Sequence, residues 1–502
     1  MGARTGAEYL EGLRERPREV WIHGERVIGD ITEHPAFKNV TRSVAALYDM
    51  QHDPELRDEM TYVSPTSGER VGMSFLQPRS REDLARRRIM MKRWADYSGG
   101  MMGRSPDYLN AGLMAMAAAA EYFGRNSPAN ADHIRRYYEE VRERDLALTH
   151  TLITPQVNRS VGSARQADPY IVARVVKETD AGLVIRGARM LATLGPIADE
   201  IEVFPSTVLR GTEEDRPYTF AFAIPCDTPG LKFICRESFD IGRSHFDHPL
   251  GSRFEEMDAV VVFDDVLVPW ERVFLYGDVE LANGVFAETN AVVHMAHQVV
   301  VKNVAKAEFI FGIAALIADR IGIDQFQHVQ EKLAEIIIDL EAMRAFLRAS
   351  EADAAVDQWG LMTPAWGPLN AARNLFPRLY PRMIEIIQIL GASGLMAIPT
   401  EADMRSPARA MIDRYLQGRN SDAYERVKLF RLAWDAALSS FGSRQVLYER
   451  FFFGDPVRMA GALVANHDAE LRALAERVRE LVRRGRDEAF ADVSGRPEKD
   501  GS

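Results

Sequence analysis

Residues 170–194, "YIVARVVKETDAGLVIRGARMLATL", decide the fold. Their β-branched runs, broken by turn residues, read as strands. Further runs of the same texture follow in "EIEVFPSTVL", "YTFAFAIP", "LKFICRES" and "DAVVVFDDVLVP". Their number and spacing predict a compact antiparallel barrel or sandwich, inserted as roughly 120 residues into an otherwise helical chain.

The flanks have a different period. Upstream, "SREDLARRRIMMKRWADYSGG" has Ser80 as N-cap, apolar residues at helical spacing and a stop at Gly99-Gly100. A second helix is predicted from Ser105-Pro106, and a third over "NADHIRRYYEEVRERDLALTHTLI". Beyond Trp270 the 3.6-residue period returns in "AVVHMAHQVVVKNVAKAEF", "FQHVQEKLAEIIIDLEAMRAFLRASEADAA" and "RVKLFRLAWDAALSS". The expected division is a helical domain over 1–152, a β-barrel domain over 153–275, and a helical bundle with a short frayed tail over 276–502. This order of parts resembles the acyl-CoA dehydrogenase architecture: mainly α with a central β domain.

The chain has 502 residues, 46% hydrophobic and 27% charged, enough for a substantial core. A net charge of -11 argues against nucleic acid and anionic membranes as partners. No run approaches the ~18 apolar residues of a membrane span, and the first residues lack a signal-peptide pattern, so a cytoplasmic location is expected. Cys226 and Cys235 are the sole cysteines, which points to a reduced compartment without a disulfide framework. There is no dinucleotide-binding GxGxxG after a strand, no phosphate-binding GxxxxGK[ST], no HExxH and no GxSxG.

Polar residues set into apolar surroundings remain as candidates. In "MMGRSPDYLN", Ser105 as N-cap, Pro106 at the first helical position and Asp107 at the positive end of the dipole explain a helix start without any function. Arg104 precedes that cap, where its fork of donors can reach a phenol, a carboxylate or a flavin oxygen. His150 is expected at a helix end, where an inert capping role competes with ligand binding, ahead of the polar loop residues Gln156, Asn158 and Arg159. His294 and His297 share one helix face; a metal pair lacks further ligands, whereas a histidine base for a phenol suits their ordinary pKa. The run Phe451 to Phe453 is expected to include contacts outside one core, foremost a subunit interface.

Taken in order, "TGAEYLEGLR", "MGRSPDYLNA", "LTHTLITPQVNRS", "GARMLATLGPIADE", "HQVVVKNVAKAEF" and "FGSRQVLYERFFFGDP" resemble the 4-hydroxyphenylacetate 3-monooxygenase family, the oxygenase components of two-component, reduced-flavin-dependent aromatic hydroxylases. The resemblance covers nearly the whole chain. It implies that Arg104, Tyr108 and His150 hold the phenol hydroxyl. It implies flavin contacts for Arg104, Gln156, Arg159, Thr193 and Arg444, the last offered from a neighbouring subunit. Ser206 and Thr207 would lie in a loop closing over the substrate tail, and His297, or else His294, would serve as base.

The reaction so implied is hydroxylation of a phenol ortho to its hydroxyl through a C4a-hydroperoxyflavin. FADH2 would come by diffusion from a separate NAD(P)H:flavin reductase, with O2 as co-substrate, in a homotetramer built as a dimer of dimers. Halophenols, nitrophenols and tyrosine-derived intermediates, free or carrier-bound, are alternative substrates. An acyl-CoA dehydrogenase-like flavoenzyme, with Glu449 or Glu308 as base, is more remote. The iron–sulfur dehydratase branch of the same fold requires cysteines that "GGMMG" and the bundle helix lack.

Overall fold

A computed structural model describes residues 2–205, 209 and 211–491. The chain forms two compact units, Met1–Leu447 and Tyr448–Ser502. The second carries the helices Pro456–Asn466 and Asp468–Ala491; the expected frayed tail lies outside the described residues.

In the first unit the helix Arg81–Tyr97 begins as its sequence predicts: Ser80 accepts from the Asp83 N–H, and the Asp83 side chain reciprocates in a capping box. It ends at Gly99 and Gly100, both at positive φ. A Cβ on Gly100 would lie 2.6 Å from the Lys306 Cβ, so only glycine lets the chain cross the long helix Ala291–Arg320 this closely. Gln445 fastens the crossing, donating to the Met101 carbonyl at 3.0 Å and accepting from Lys306 Nζ at 2.7 Å. These contacts fix where residues 101–110 enter the core.

The helix Ala291–Arg320 is the axis of the α part. It packs against Arg81–Tyr97, Asp107–Ala118, Gln327–Ala352 and Trp366–Gly391. It is apolar on several faces, and its side chains from Val293 to Ala307 are buried without a break.

The β part consists of two sheets. One has six strands in the order Glu25–Arg26, Glu19–Ile22, Leu231–Cys235, Asp258–Pro269, Gly182–Thr193 and Arg174–Thr179. The other runs Val273–Tyr276, Phe220–Pro225, Glu200–Val203 and Leu148–Thr151. Phe222 of the smaller sheet meets Phe263 of the larger edge-on at 6.1 Å, joining their inner faces in one core.

Two pairings depart from the expected antiparallel pattern, because Glu19–Ile22 and Leu148–Thr151 each add to their sheet in parallel. Both strands come from before residue 153 and are four residues long, too short to declare a period of two. The expected third helix therefore ends early. It stops at Arg144, closed by Asp145 in the left-handed conformation, and "LTHT" is a strand. His150 is a strand residue, not a helix cap. Cys226 and Cys235 are both free thiols.

Candidate active site

The second helix, Asp107–Ala118, has no side-chain cap: Pro106 already has helical dihedral angles, and Ser105 bonds the Asp107 carboxyl instead of capping. Asp107 is completely buried and accepts from Gln298 Nε2 of the long helix at 3.0 Å. Burial raises its carboxyl to about 6. That pairing sets the rotation of the helix, which turns Tyr108 toward the smaller sheet.

Arg104, Tyr108 and His150 come together there. The Arg104 guanidinium stacks over the Tyr108 ring at 4.2 Å, and Tyr108 meets the His150 ring edge-on at 5.9 Å. Burial, with the Arg104 charge second, pushes His150 well below its ordinary pKa, so its imidazole is neutral near pH 7. His150 lines a small closed cavity with Leu109, Met116, Glu202, Phe286 and Met295. The cavity measures about 10 Å³, the space of one water and not of a ring. Its apolar walls beside an arginine, a phenol and a neutral imidazole are nonetheless the side-chain set that a ring carrying a hydroxyl group would meet.

Arg104 is held from below by Glu256, whose Oε1 accepts its backbone N–H at 2.6 Å. The other oxygen of Glu256 accepts from Arg444 Nη1 at 3.0 Å, and the Arg444 fork grips Asp258 at 3.0 and 2.8 Å. Thr193 joins the same knot, its hydroxyl donating to Asp258 Oδ1 at 2.8 Å. Burial alone would raise Asp258, yet Arg444 and Arg236 hold it well below the usual carboxylate range. Within its own chain the Arg444 fork is engaged by the carboxylates of Glu256 and Asp258. Thr193 likewise spends its hydroxyl on Asp258.

Gln156 and Arg159 stand exposed beyond the strand of His150. An amide and a guanidinium open to solvent are donors of the kind an anionic dinucleotide takes, so this part of the expected set fits FAD. Ser206 and Thr207 lie outside the described residues.

His294 and His297 do not join the cluster. His294 bonds Thr363 Oγ1 at 3.2 Å, and His297 bonds Glu351 Oε1 at 2.8 Å, a carboxylate that also holds Arg88. Neither lines the cavity, where the long helix presents Met295 instead. Residues 100° apart on a helix cannot share one direction. Burial keeps His294 well below its ordinary pKa, with Arg87 next in effect. Glu308, the alternative base, is committed at the surface to Lys92 and Arg344.

Four residues near the cluster escaped the sequence reading: Glu202, Glu256, Met295 and Arg373. Arg373 lies close enough to Tyr108 to interact with it electrostatically, while burial lowers its own pKa to about 10. Glu202 had a legible signal, since "EIEV" puts two carboxylates on one face of a strand whose other residues are apolar.

Comparison with known proteins completes the picture. Residues 5–275 match the family described as 4-hydroxyphenylacetate 3-hydroxylase N terminal, and residues 282–483 its C-terminal counterpart. The 4-hydroxyphenylacetate 3-monooxygenase oxygenase component of Thermus thermophilus is 54% identical over 481 residues, 96% of this chain and 98% of that one. A crystal structure of an oxygenase component of 4-hydroxyphenylacetate 3-monooxygenase complexed with FAD and 4-hydroxyphenylacetate superimposes with TM-score 0.91 at 53% identity, covering 96% of this chain and 99% of that one. A 4-hydroxybutyryl-CoA dehydratase from N. maritimus shares the fold alone, with TM-score 0.84 at 22% identity over 94% and 95% of the two chains.

Fold and site thus define a flavin-dependent aromatic monooxygenase on an acyl-CoA dehydrogenase-like scaffold. Within that class the chain belongs to the 4-hydroxyphenylacetate 3-hydroxylase family.

Proposed function

We propose that this chain is the oxygenase component that hydroxylates 4-hydroxyphenylacetate, or a phenol of the same outline, at the carbon ortho to the hydroxyl. The observation that carries the reading is the contact of Arg104, Tyr108 and His150 beside an apolar cavity. Bound reduced FAD, delivered by a separate reductase, supplies with O2 the oxygen atom that is transferred.

The chain's own residues do the rest. Arg104 and Tyr108 orient the phenol hydroxyl, and the neutral imidazole of His150 accepts its hydrogen bond, which enriches the ring in electrons. Leu109, Met116 and Phe286 keep water from the ring. Gln156 and Arg159 would hold the dinucleotide, while Arg444, Asp258 and Thr193 brace the floor beneath Arg104. His150 replaces His294 and His297 as the base, because it alone of the three faces the cavity.

The proposed division at residues 152 and 275 leaves the six-stranded sheet with two strands from the first part, Glu19–Ile22 and Glu25–Arg26, and the four-stranded sheet with one, Leu148–Thr151. A homotetramer in the cytoplasm completes the reading; exposed Ile338 and Met396 on the helical part are apolar surface of the kind subunits cover. No helix among the described residues is long and apolar enough to cross a membrane.

The test is reconstitution with a generic flavin reductase and NADH over a panel of phenols. Catechol formation from 4-hydroxyphenylacetate, at a kcat/KM above that for nitro- and chlorophenols, is the expected result. Peroxide release without any oxidised phenol would overturn the reading.

A further inference from the structure

The carboxyl of Glu202 has no place in the reading above, yet it shares the cavity with His150. The strands Leu148–Thr151 and Glu200–Val203 run parallel, and His150 and Glu202 are partners in their register. Side chains of register partners leave the sheet on the same face, from strands about 4.8 Å apart. An imidazole and a carboxyl therefore stand side by side. Among the described residues they are the only polar side chains on the cavity wall, the rest being apolar residues such as Leu152, Phe204 and Phe286.

The space they share, about 10 Å³, is too small for a ring but takes one oxygen with its hydrogen. Glu202 is 4% exposed, and its Oε1 is buried without a hydrogen-bond partner among the described residues. A buried polar atom left so costs free energy that a well-placed partner returns. Burial, with the charge of Glu200 second, raises the Glu202 carboxyl to about 8, so it keeps its proton near neutral pH. In that form it has one O–H to donate and a carbonyl oxygen to accept, the complement of a hydroxyl.

The phenol hydroxyl itself does not need this carboxyl. A hydroxyl has one hydrogen and two lone pairs. In the proposed site its hydrogen goes to His150 and its lone pairs face Arg104 and Tyr108, which leaves it fully used. A second hydroxyl on the neighbouring ring carbon meets the group next to His150, and that group is Glu202.

We propose that Glu202 binds a second ring hydroxyl, ortho to the first, and so makes the site select ortho-dihydroxy rings over phenols and over ortho-methylated phenols. This rests on the phenol site proposed above. Hydroxylation of the phenol yields a ring of the selected class, so the same carboxyl retains the product, which then competes with the next phenol. Glu202 determines specificity and takes no proton from the ring.

The full chain is titrated by calorimetry under nitrogen with reduced FAD present, so that binding is read without turnover. Three ligands are compared: 4-hydroxyphenylacetate, 3,4-dihydroxyphenylacetate, and 4-hydroxy-3-methylphenylacetate, whose methyl group is close to a hydroxyl in size but forms no hydrogen bond. Wild-type protein should bind the dihydroxy ring about fivefold to tenfold more tightly than the phenol, the worth of one net hydrogen bond, and the methyl ring more weakly than the phenol. Glu202→Leu should reverse the order of the dihydroxy and methyl rings. Glu202→Gln, whose amide still donates and accepts, should keep the wild-type order. Arg104→Ala should weaken all three rings alike, which separates the phenol site from the site of the second hydroxyl. A dihydroxy ring bound no more tightly than the phenol by wild-type protein, or one whose advantage survives in Glu202→Leu, would overturn the proposal. Failure of wild-type protein to bind any of the three rings would overturn the phenol site, and the second-hydroxyl site with it.

Discussion

The backbone N–H of Arg104 donates to Glu256 Oε1 at 2.6 Å, so the residue that stacks on the tyrosine ring is fixed through its main chain by a carboxylate 152 positions away. The same carboxylate holds Arg444. Glu256→Gln keeps the shape but weakens a charge-assisted bond. We expect kcat/KM for the phenol to fall about tenfold, roughly 1.4 kcal/mol, chiefly through KM. Steady-state kinetics check this, and an unchanged KM would separate Glu256 from the placement of Arg104.

Arg104→Ala removes the cation from the Tyr108 ring. Such a contact is worth about 0.5–2 kcal/mol of stability, so the melting temperature should fall by only a few degrees. Hydroxylation should fall much further, roughly 100-fold or more, if the guanidinium orients the phenol. Calorimetry beside product assays decides the matter, and a parallel fall of stability and activity would return Arg104 to the role of helix punctuation.

The order of helical, β and helical parts was legible because each carries a long, repeated period. What escaped were contributions too short or too distant to have one. "LTHT" reads as the tail of a helix, since nothing local marks the parallel partner 52 residues later. Arg104, Tyr108 and His150 stood out only through the order of the family's motifs. Glu256 did not stand out at all, because a carboxylate in a sequence does not declare that an arginine awaits it, and Glu202 offered only the alternation of "EIEV". The partners of His294 and His297 were hidden for the same reason: their spacing shows a shared face but not that it meets Thr363 and Glu351.

His150 is buried neutral, and its pKa lies well below the ordinary 6.5 because of burial and, second, Arg104. The unfolded chain therefore binds a proton at His150 as pH falls below about 6.5, while the folded chain does not until much lower. The stability this group contributes is complete above 6.5 and drains away as pH drops toward the folded value. His294 adds to the same trend. Melting temperatures measured from pH 7.5 to 5 should decline, less steeply in His150→Gln, and a steeper decline in the variant would contradict a neutral His150.

Asp258 and Arg444 form a buried bidentate pair, with Thr193 and Arg236 on the same carboxylate. Breaking such a pair from one side strands a buried charge, at a cost of about 3–5 kcal/mol. Arg444→Ala should therefore lower the unfolding free energy by that amount, and more than Asp258→Asn, since it takes the Arg444 cation from Glu256 and leaves Asp258 paired with Arg236 alone. Chemical denaturation of the two variants tests the order, and a reversed order would mean that Arg236 suffices for both carboxylates.

Gly112 lies on the helix behind the cavity, where a Cβ would meet Met295 Sδ at 2.9 Å. Its φ is ordinary for a helix, so alanine there gains roughly 0.5–1 kcal/mol of backbone propensity. The obstacle is the far end of a flexible thioether, which can turn aside at little cost. Because Met295 lines the cavity with His150, the space it turns into is the space a ring requires. Gly112→Ala should leave melting temperature level or slightly raised while weakening binding of 4-hydroxyphenylacetate, and Gly112→Ala with Met295→Ala should recover the binding. Calorimetric titration of the phenol against both proteins measures the pair. Undiminished affinity in the single variant would show that the ring does not enter beside Met295, and would move the substrate to the opposite side of Tyr108.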